Sequence, residues 1–181
     1  MRLFVAIEIS AEIRQRINEF VTRLQPRLSN ARWVRPEGLH ITLKFLGNVP
    51  DERRPVIEQA LRRIDAIRFE VSVQRIGVFP NQRSPRVLWV GIESGLDLPN
   101  LAKESDNVLA SLGFEREKRA FTPHVTLARF KEGTRALNVG SALPELDLTF
   151  GTMTATEFHL YESKLSPRGS SYSKLASFQL N

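Results

Sequence analysis

The segment LHITLKFL at residues 39–46 returns as PHVTLARF at residues 123–130. Each copy sets His, an aliphatic residue, Thr and Leu in one frame, then a basic residue beside a phenylalanine. Only three histidines are present, and two of them stand in this frame. In an extended strand, side chains two apart share a face. His40 and Thr42 then point one way, and Ile41, Leu43 and Phe45 the other. His124 and Thr126 oppose Val125 and Leu127 in the same manner. Such a strand is polar on one side and anchored in a core on the other. Two of them facing one hollow would present two imidazoles and two hydroxyls to a single ligand.

The rest of the pattern gives these strands a frame. RLFVAIEI (2–9) reads as a strand bounded by Ser10, a helix N-cap with Glu12 in the first turn. Ile13, Ile17, Phe20, Val21, Leu24 and Leu28 recur at helical spacing, with fraying expected near Pro26. ARWVRPEG reads as a connection. Residues 39–47 form a strand ending at Gly47, and 49–64 a second helix with Ile57, Ala60, Leu61 and Ile64 on its apolar face. RFEVSVQRIGVFP (68–80) and RVLWVGIE (86–93) alternate as strands and flank a turn. Leu98, Leu101, Ala102, Ser105, Val108, Leu109 and Leu112 mark a third helix, stopped by Gly113. After the second motif come one bent strand or two over 146–163, a loop SPRGSS, and a closing strand over 172–180. The order β-α-β-α-β-β-α-β-β-β predicts an α+β fold of helices packed on largely antiparallel sheet.

Composition narrows the chemistry. The 181 residues fit one domain, 1–181, long enough to bury a core without staples. Cysteine is absent, which excludes disulfides, thiolate metal sites and thiol nucleophiles and is compatible with a reducing cytoplasm. Neither a secretory start nor a run of about 20 apolar residues is visible, so no membrane association is expected. Formal net charge is +6, and 20 of the 26 basic residues are arginine, whose fork matches phosphate. The first 90 residues carry 16 Lys+Arg against 9 Asp+Glu, the remainder 10 against 11. This balance points to nucleic acid, acidic lipid or phosphorylated small molecules as ligands.

The paired motifs suit phosphate chemistry. A neutral imidazole takes a proton from water, and an imidazolium gives one to a departing oxygen. Threonine hydroxyls donate to non-bridging phosphate oxygens. Two histidines alone make a poor zinc set, and no acidic cluster accompanies either motif, so no metal or other cofactor is expected.

HITL and HVTL resemble the paired His-x-Thr-x signature of the two-histidine (2H) phosphoesterases. With the opening MRLFVAIEI, the context RWVRPEGLHITLKFLG, the FTPHVTLARF segment and the late LYESKLSPRGSSY, the resemblance is to their RNA 2′,3′-cyclic phosphodiesterase branch, also called 2′-5′ RNA ligase. It covers nearly the whole chain. It implies a bilobal fold, two pseudo-twofold-related lobes with helices on the outer faces and a central cleft. It also implies metal-independent opening of a ribose 2′,3′-cyclic phosphate to a 2′-phosphomonoester. By position, His40 is then the proton donor to the leaving 3′-oxygen, His124 the base that activates water, and Thr42 and Thr126 the phosphate-oxygen ligands.

Arg129 and Lys44 are the next candidate substrate-binding residues. Lys44 has the parity of His40 and Thr42. Arg129 has the wrong parity, which a β-bulge or its long side chain would correct. Trp33 and Trp89 are candidates to stack a base, although aromatics at strand ends more often belong to the core. RWVRPEG and NQRSPR offer a basic rim for an RNA tail, with ordinary solvated loops as the competing reading. SPRGSSY, with Arg168, is placed near the cleft border, Tyr172 receives no chemical role, and His159 lacks a Thr partner and reads as structural. The expected partners are RNA ends or cyclic nucleotides, the default state is a monomer, and the expected location is the cytoplasm. Competing functions are a non-catalytic RNA-end binder, an enzyme for another cyclic phosphate, and joining of 2′-5′ RNA ends.

Overall fold

The computed structural model describes residues 1–134, 148–166 and 169–181. Its elements in chain order are β1 (Arg2–Glu8), α1 (Ala11–Leu24), β2 (Ala31–Trp33), β3 (His40–Asn48), α2 (Arg54–Leu61), β4 (Phe69–Phe79), β5 (Val87–Glu93), α3 (Asp97–Ala110), β6 (His124–Phe130), β7 (Thr149–Ala155), β8 (Glu157–Ser166) and β9 (Gly169–Gln179). The strands make a sheet in the order β7-β4-β5-β6-β3-β1-β8-β9, with β2 added to β6. Every pairing is antiparallel. The order is symmetric about its middle: β3 corresponds to β6, β1 to β5, β8 to β4 and β9 to β7. Each half is a lobe that contributes one motif strand to the centre, as expected for the bilobal α+β fold.

Local chemistry sets the helices. Ser10 caps α1 by accepting a hydrogen bond from the Ile13 amide at 3.3 Å, with Glu12 in the first turn and Arg23 in the last. Ile13, Ile17, Val21 and Leu24 are buried, and Pro26 diverts the chain into a 3-10 turn over Gln25–Arg27. α2 is shorter than its apolar pattern suggests, because Asp51–Arg53 form a separate 3-10 turn and the helix starts only at Arg54. α1 lies against β7 of the other lobe, with Phe20 edge-on to Phe150 at 5.5 Å, while α3 packs on β3. Each lobe's first helix thus crosses over and ties the two halves together.

The sheet has two unlike faces. Ile41, Leu43, Val125 and Leu127 join the main core with the helices. Phe4, Ala6 and Tyr161 form a separate small cluster on the other face, with Tyr172 packed against it.

Two stretches read as loops are strand. Ala31–Trp33 pairs with β6, Arg32 opposite Arg129 and Trp33 opposite Ala128. Three residues are too few to show a periodicity. In the SPRGSS stretch, β8 runs on to Ser166 and β9 begins at Gly169. Arg168 lies outside the described residues.

Gly77 carries a packing constraint. A Cβ there would stand 2.1 Å from Cζ2 of Trp89, its cross-strand partner, whose indole lies across the glycine. Gly77→Ala is expected to lower stability by about 2 kcal/mol through overpacking and to change the tryptophan emission. Denaturant unfolding followed by fluorescence checks this.

Candidate active site

β3 and β6 pair at one position, Ile41 opposite Val125. Both residues are fully buried in the core. Their neighbours along each strand therefore turn to the opposite face. Antiparallel register places His40 beside Thr126 on one side of the bridge and Thr42 beside His124 on the other. Beyond this bridge the ladder stops and a cleft opens. The four motif side chains are each half-buried, and His40 lies close enough to His124 and Arg129 to feel their charge.

The two rings are held alike. His40 Nδ1–H donates to the Gly38 carbonyl at 2.7 Å, and His124 Nδ1–H donates to the Thr122 carbonyl at 2.7 Å. A carbonyl only accepts, so each Nδ1 carries the proton and each Nε2 is left for chemistry. Aromatic rings brace both. Tyr172 stands edge-on to His40 at 5.2 Å and Phe4 lies 4.7 Å away, while Phe79 stands edge-on to His124 at 5.1 Å with Trp89 at 6.5 Å. Gly38 makes this bracing feasible, because a Cβ there would meet the Tyr172 ring at 2.8 Å.

A bulge in each motif decides the remaining side chains. In β3, Val5 pairs with Lys44 and Ala6 with Thr42, so Leu43 is the extra residue. In β6, Leu88 pairs with Ala128 and Trp89 with Thr126, so Leu127 is the extra one. Each bulge reverses the alternation beyond it. Arg129 consequently joins the face of His124 and Thr126, exposed, which resolves its parity. Phe45 reaches the His40 face and stacks on Phe4 at 5.6 Å.

The same reversal corrects the expectation for Lys44. It turns inward, 7% exposed, and its Nζ donates to Asp106 Oδ1 and to the Glu115 carbonyl, both at 2.5 Å. Burial pushes the Asp106 carboxyl up, but the bonds from Lys44 and the Glu117 amide, with the charges of Lys44 and Arg116, together hold it below its ordinary value. Lys44 ties α3 and the following loop to the motif strand. Trp33 also turns away, packing against the core, so it is no platform for a base. Trp89 does stand beside His124; its Nε1 is buried without a partner among the described residues. His159 is buried and hydrogen-bonded to Ser177 at 2.9 Å, a structural role as read from the sequence. The bracing roles of Phe4, Phe79 and Tyr172 were not legible; each comes from a distant strand without a motif of its own.

The site is electropositive. Burial lowers the pKa of His40, and the nearby charges of His124 and Arg129 lower it further against the bond to Gly38, to about 4. Burial and Arg129 lower that of His124 too, opposed by its bond to Thr122. The free cleft near neutral pH thus holds two uncharged imidazoles beside a fixed guanidinium.

A model of the family described as LigT like Phosphoesterase matches the chain twice, over residues 7–89 and 90–172. Each match contains one histidine motif. The chain belongs to the LigT-like phosphoesterase family. This LigT-like chain is 36% identical over 180 residues to an RNA 2′,3′-cyclic phosphodiesterase of Archaeoglobus fulgidus, covering 99% of this chain and 100% of that one. It is 32% identical over 177 residues to an RNA 2′,3′-cyclic phosphodiesterase of Thermotoga maritima, covering 97% and 93%. The crystal structure of E. coli LigT complexed with 3′-AMP superposes with a TM-score of 0.82 at 29% identity, covering 99% of this chain and 97% of that one. The lobes, their order and their symmetry are those of LigT-like phosphoesterases, and the protein is an enzyme of that class.

Two outcomes follow. Lys44→Met is expected to cost about 3 kcal/mol of stability by leaving Asp106 without its buried partner, while the KM of the folded enzyme stays near wild type; calorimetry and kinetics measure the two separately. His40 has a lower pKa folded than unfolded, so the folded state binds fewer protons on acidification. Stability present above pH 6.5 is then lost as pH falls towards 4, by at most about 3 kcal/mol at 1.36 kcal/mol per pH unit. Unfolding curves of His40→Gln should show a shallower acid slope than wild type.

Proposed function

We propose that the chain hydrolyses RNA-terminal 2′,3′-cyclic phosphate to a 2′-phosphomonoester by a metal-independent pair of imidazoles. The observation that carries this reading is the bridge at Ile41 and Val125. It puts both histidines on one face, each with Nδ1 tied to a carbonyl and Nε2 without a partner among the described residues. The relatives named RNA 2′,3′-cyclic phosphodiesterase supply the substrate class. The motifs lie on one chain, so the site needs no partner subunit, and the lack of cysteine suits the cytoplasm. Among the described residues no helix is long and apolar enough to cross a membrane.

The geometry supports the following steps. The cyclic phosphate sits over the bridge, its non-bridging oxygens accepting from Thr42 and Thr126 and facing Arg129. His124 Nε2 takes a proton from water as its oxygen attacks phosphorus. The bond from phosphorus to the ribose 3′-oxygen breaks in line, and His40 Nε2–H gives its proton to that oxygen. The products are a 3′-hydroxyl and a 2′-phosphate; the histidines have exchanged protonation states and reset through solvent. With a free-site pKa of about 4, His40 is protonated in roughly one molecule in a thousand at pH 7. The phosphate anion offsets the positive charge of Arg129 and raises the pKa, so substrate binding loads the acid.

His40→Ala and His124→Ala should each reduce turnover of a nucleoside 2′,3′-cyclic phosphate by at least about a hundredfold while circular dichroism stays unchanged. Near-normal turnover in both variants would refute the proposal, and so would loss of wild-type activity in excess chelator. Loading on binding has its own signature. Both pH profiles should be bell-shaped, with the alkaline limb of kcat at higher pH than that of kcat/KM, since the first reports the complex and the second the free enzyme. Coincident limbs would show that the acid is charged before substrate arrives.

A further inference from the structure

We propose that Arg32 binds the phosphodiester joining the terminal nucleotide to the rest of the RNA, while Arg129 remains on the scissile phosphate. The proposal rests on the cyclic phosphodiesterase reading and deepens it, by making RNA ends of two or more nucleotides the preferred substrate. Arg32 lies in β2, directly opposite Arg129 of β6. Cross-strand partners share a face and stand roughly 5 Å apart at Cα. Their neighbours fix which face this is. Ala128 is fully buried, with Trp33 opposite it packed against the same core, and Phe130 is buried opposite Ala31, which also packs there. Arg32 and Arg129 therefore both rise on the cleft side, and both are exposed.

Like charges directly opposite in a ladder destabilise it, and a structural role would favour a threonine or a carboxylate here. Among the described residues neither guanidinium has an ion-pair partner, and the nearby Glu132 is held by Arg86 at 3.0 Å. On its other side Arg129 pairs with Val87, which carries no charge. An anion fits this arrangement, and the position says which one. β2 lies along the same edge of β6 as β3 and continues its line beyond His40. The catalytic point is at Val125, and Arg32 and Arg129 stand level with each other, four residues along β6 from it. Two long exposed forks side by side at this point can reach two neighbouring phosphates of a strand, whereas a single phosphate already has Arg129 and two hydroxyls.

Arg32→Thr, with Arg32→Lys as the charge-retaining control, tests this on two substrates. One is an oligoribonucleotide ending in 2′,3′-cyclic phosphate; the other is a nucleoside 2′,3′-cyclic phosphate with a free 5′-hydroxyl. The Thr variant should raise KM for the oligonucleotide about tenfold and reduce the salt dependence of log KM by about one unit of slope. Its kcat, its kinetics on the nucleoside substrate and its melting temperature without ligand should not fall, and the Lys variant should keep the salt slope. Equal losses on both substrates would overturn the proposal by placing Arg32 at the scissile phosphate or in folding, and no change on either would overturn it as well. Absence of wild-type turnover on both would instead refute the underlying cyclic phosphodiesterase reading.

Discussion

A single backbone bridge, Ile41 with Val125, organises the cleft. It anchors two aliphatic side chains in the core and thereby turns four polar ones outward. Had β3 and β6 paired along their length, the ladder would have closed and left a flat sheet. Pairing at one position lets the strands diverge while holding the motif residues about the point of contact. The crossed helices make this affordable, since α1 and α3 each fasten one lobe to the other and carry cohesion that a longer ladder would otherwise supply.

The two bulges make the symmetric scaffold asymmetric. Both remove one residue from register just past the motif threonine, and both bring the residue five beyond the histidine to the cleft. In one lobe that residue is Phe45, in the other Arg129. The inward-facing residues differ too: Lys44 needs the carboxylate of Asp106, while Ala128 needs nothing. One end of the cleft is thus aromatic and the other cationic. The aromatic braces keep both rings in place with little solvent around them. That burial, together with Arg129, favours neutral imidazoles.

Much of this was legible in the chain. Alternation in HITL and HVTL fixed the faces of His40, Thr42, His124 and Thr126, because period-2 patterning survives any tertiary context that buries one side. Ser10 and Pro26 bounded α1 for local reasons. What failed was whatever depended on register with another strand. Parity counting assigned Lys44 to the cleft, and a bulge, which is a property of a pair of strands, turned it inward; for Arg129 the awkward parity was expected to need such a bulge, and β6 has one. β2 was invisible because three residues have no period, and with it went the placement of Arg32. The braces Phe4, Phe79 and Tyr172 are brought together by topology alone.

Histidine nitrogen NMR tests the central claim most directly. The protein labelled with 15N in its histidines is titrated with a nucleoside 2′-monophosphate, the product of the reaction. If one phosphate is gripped between the rings, Nε2 of His40 and Nε2 of His124 shift together along one saturation curve while each Nδ1 keeps its proton. A response from one ring with the other silent, or two separate curves, would contradict the account.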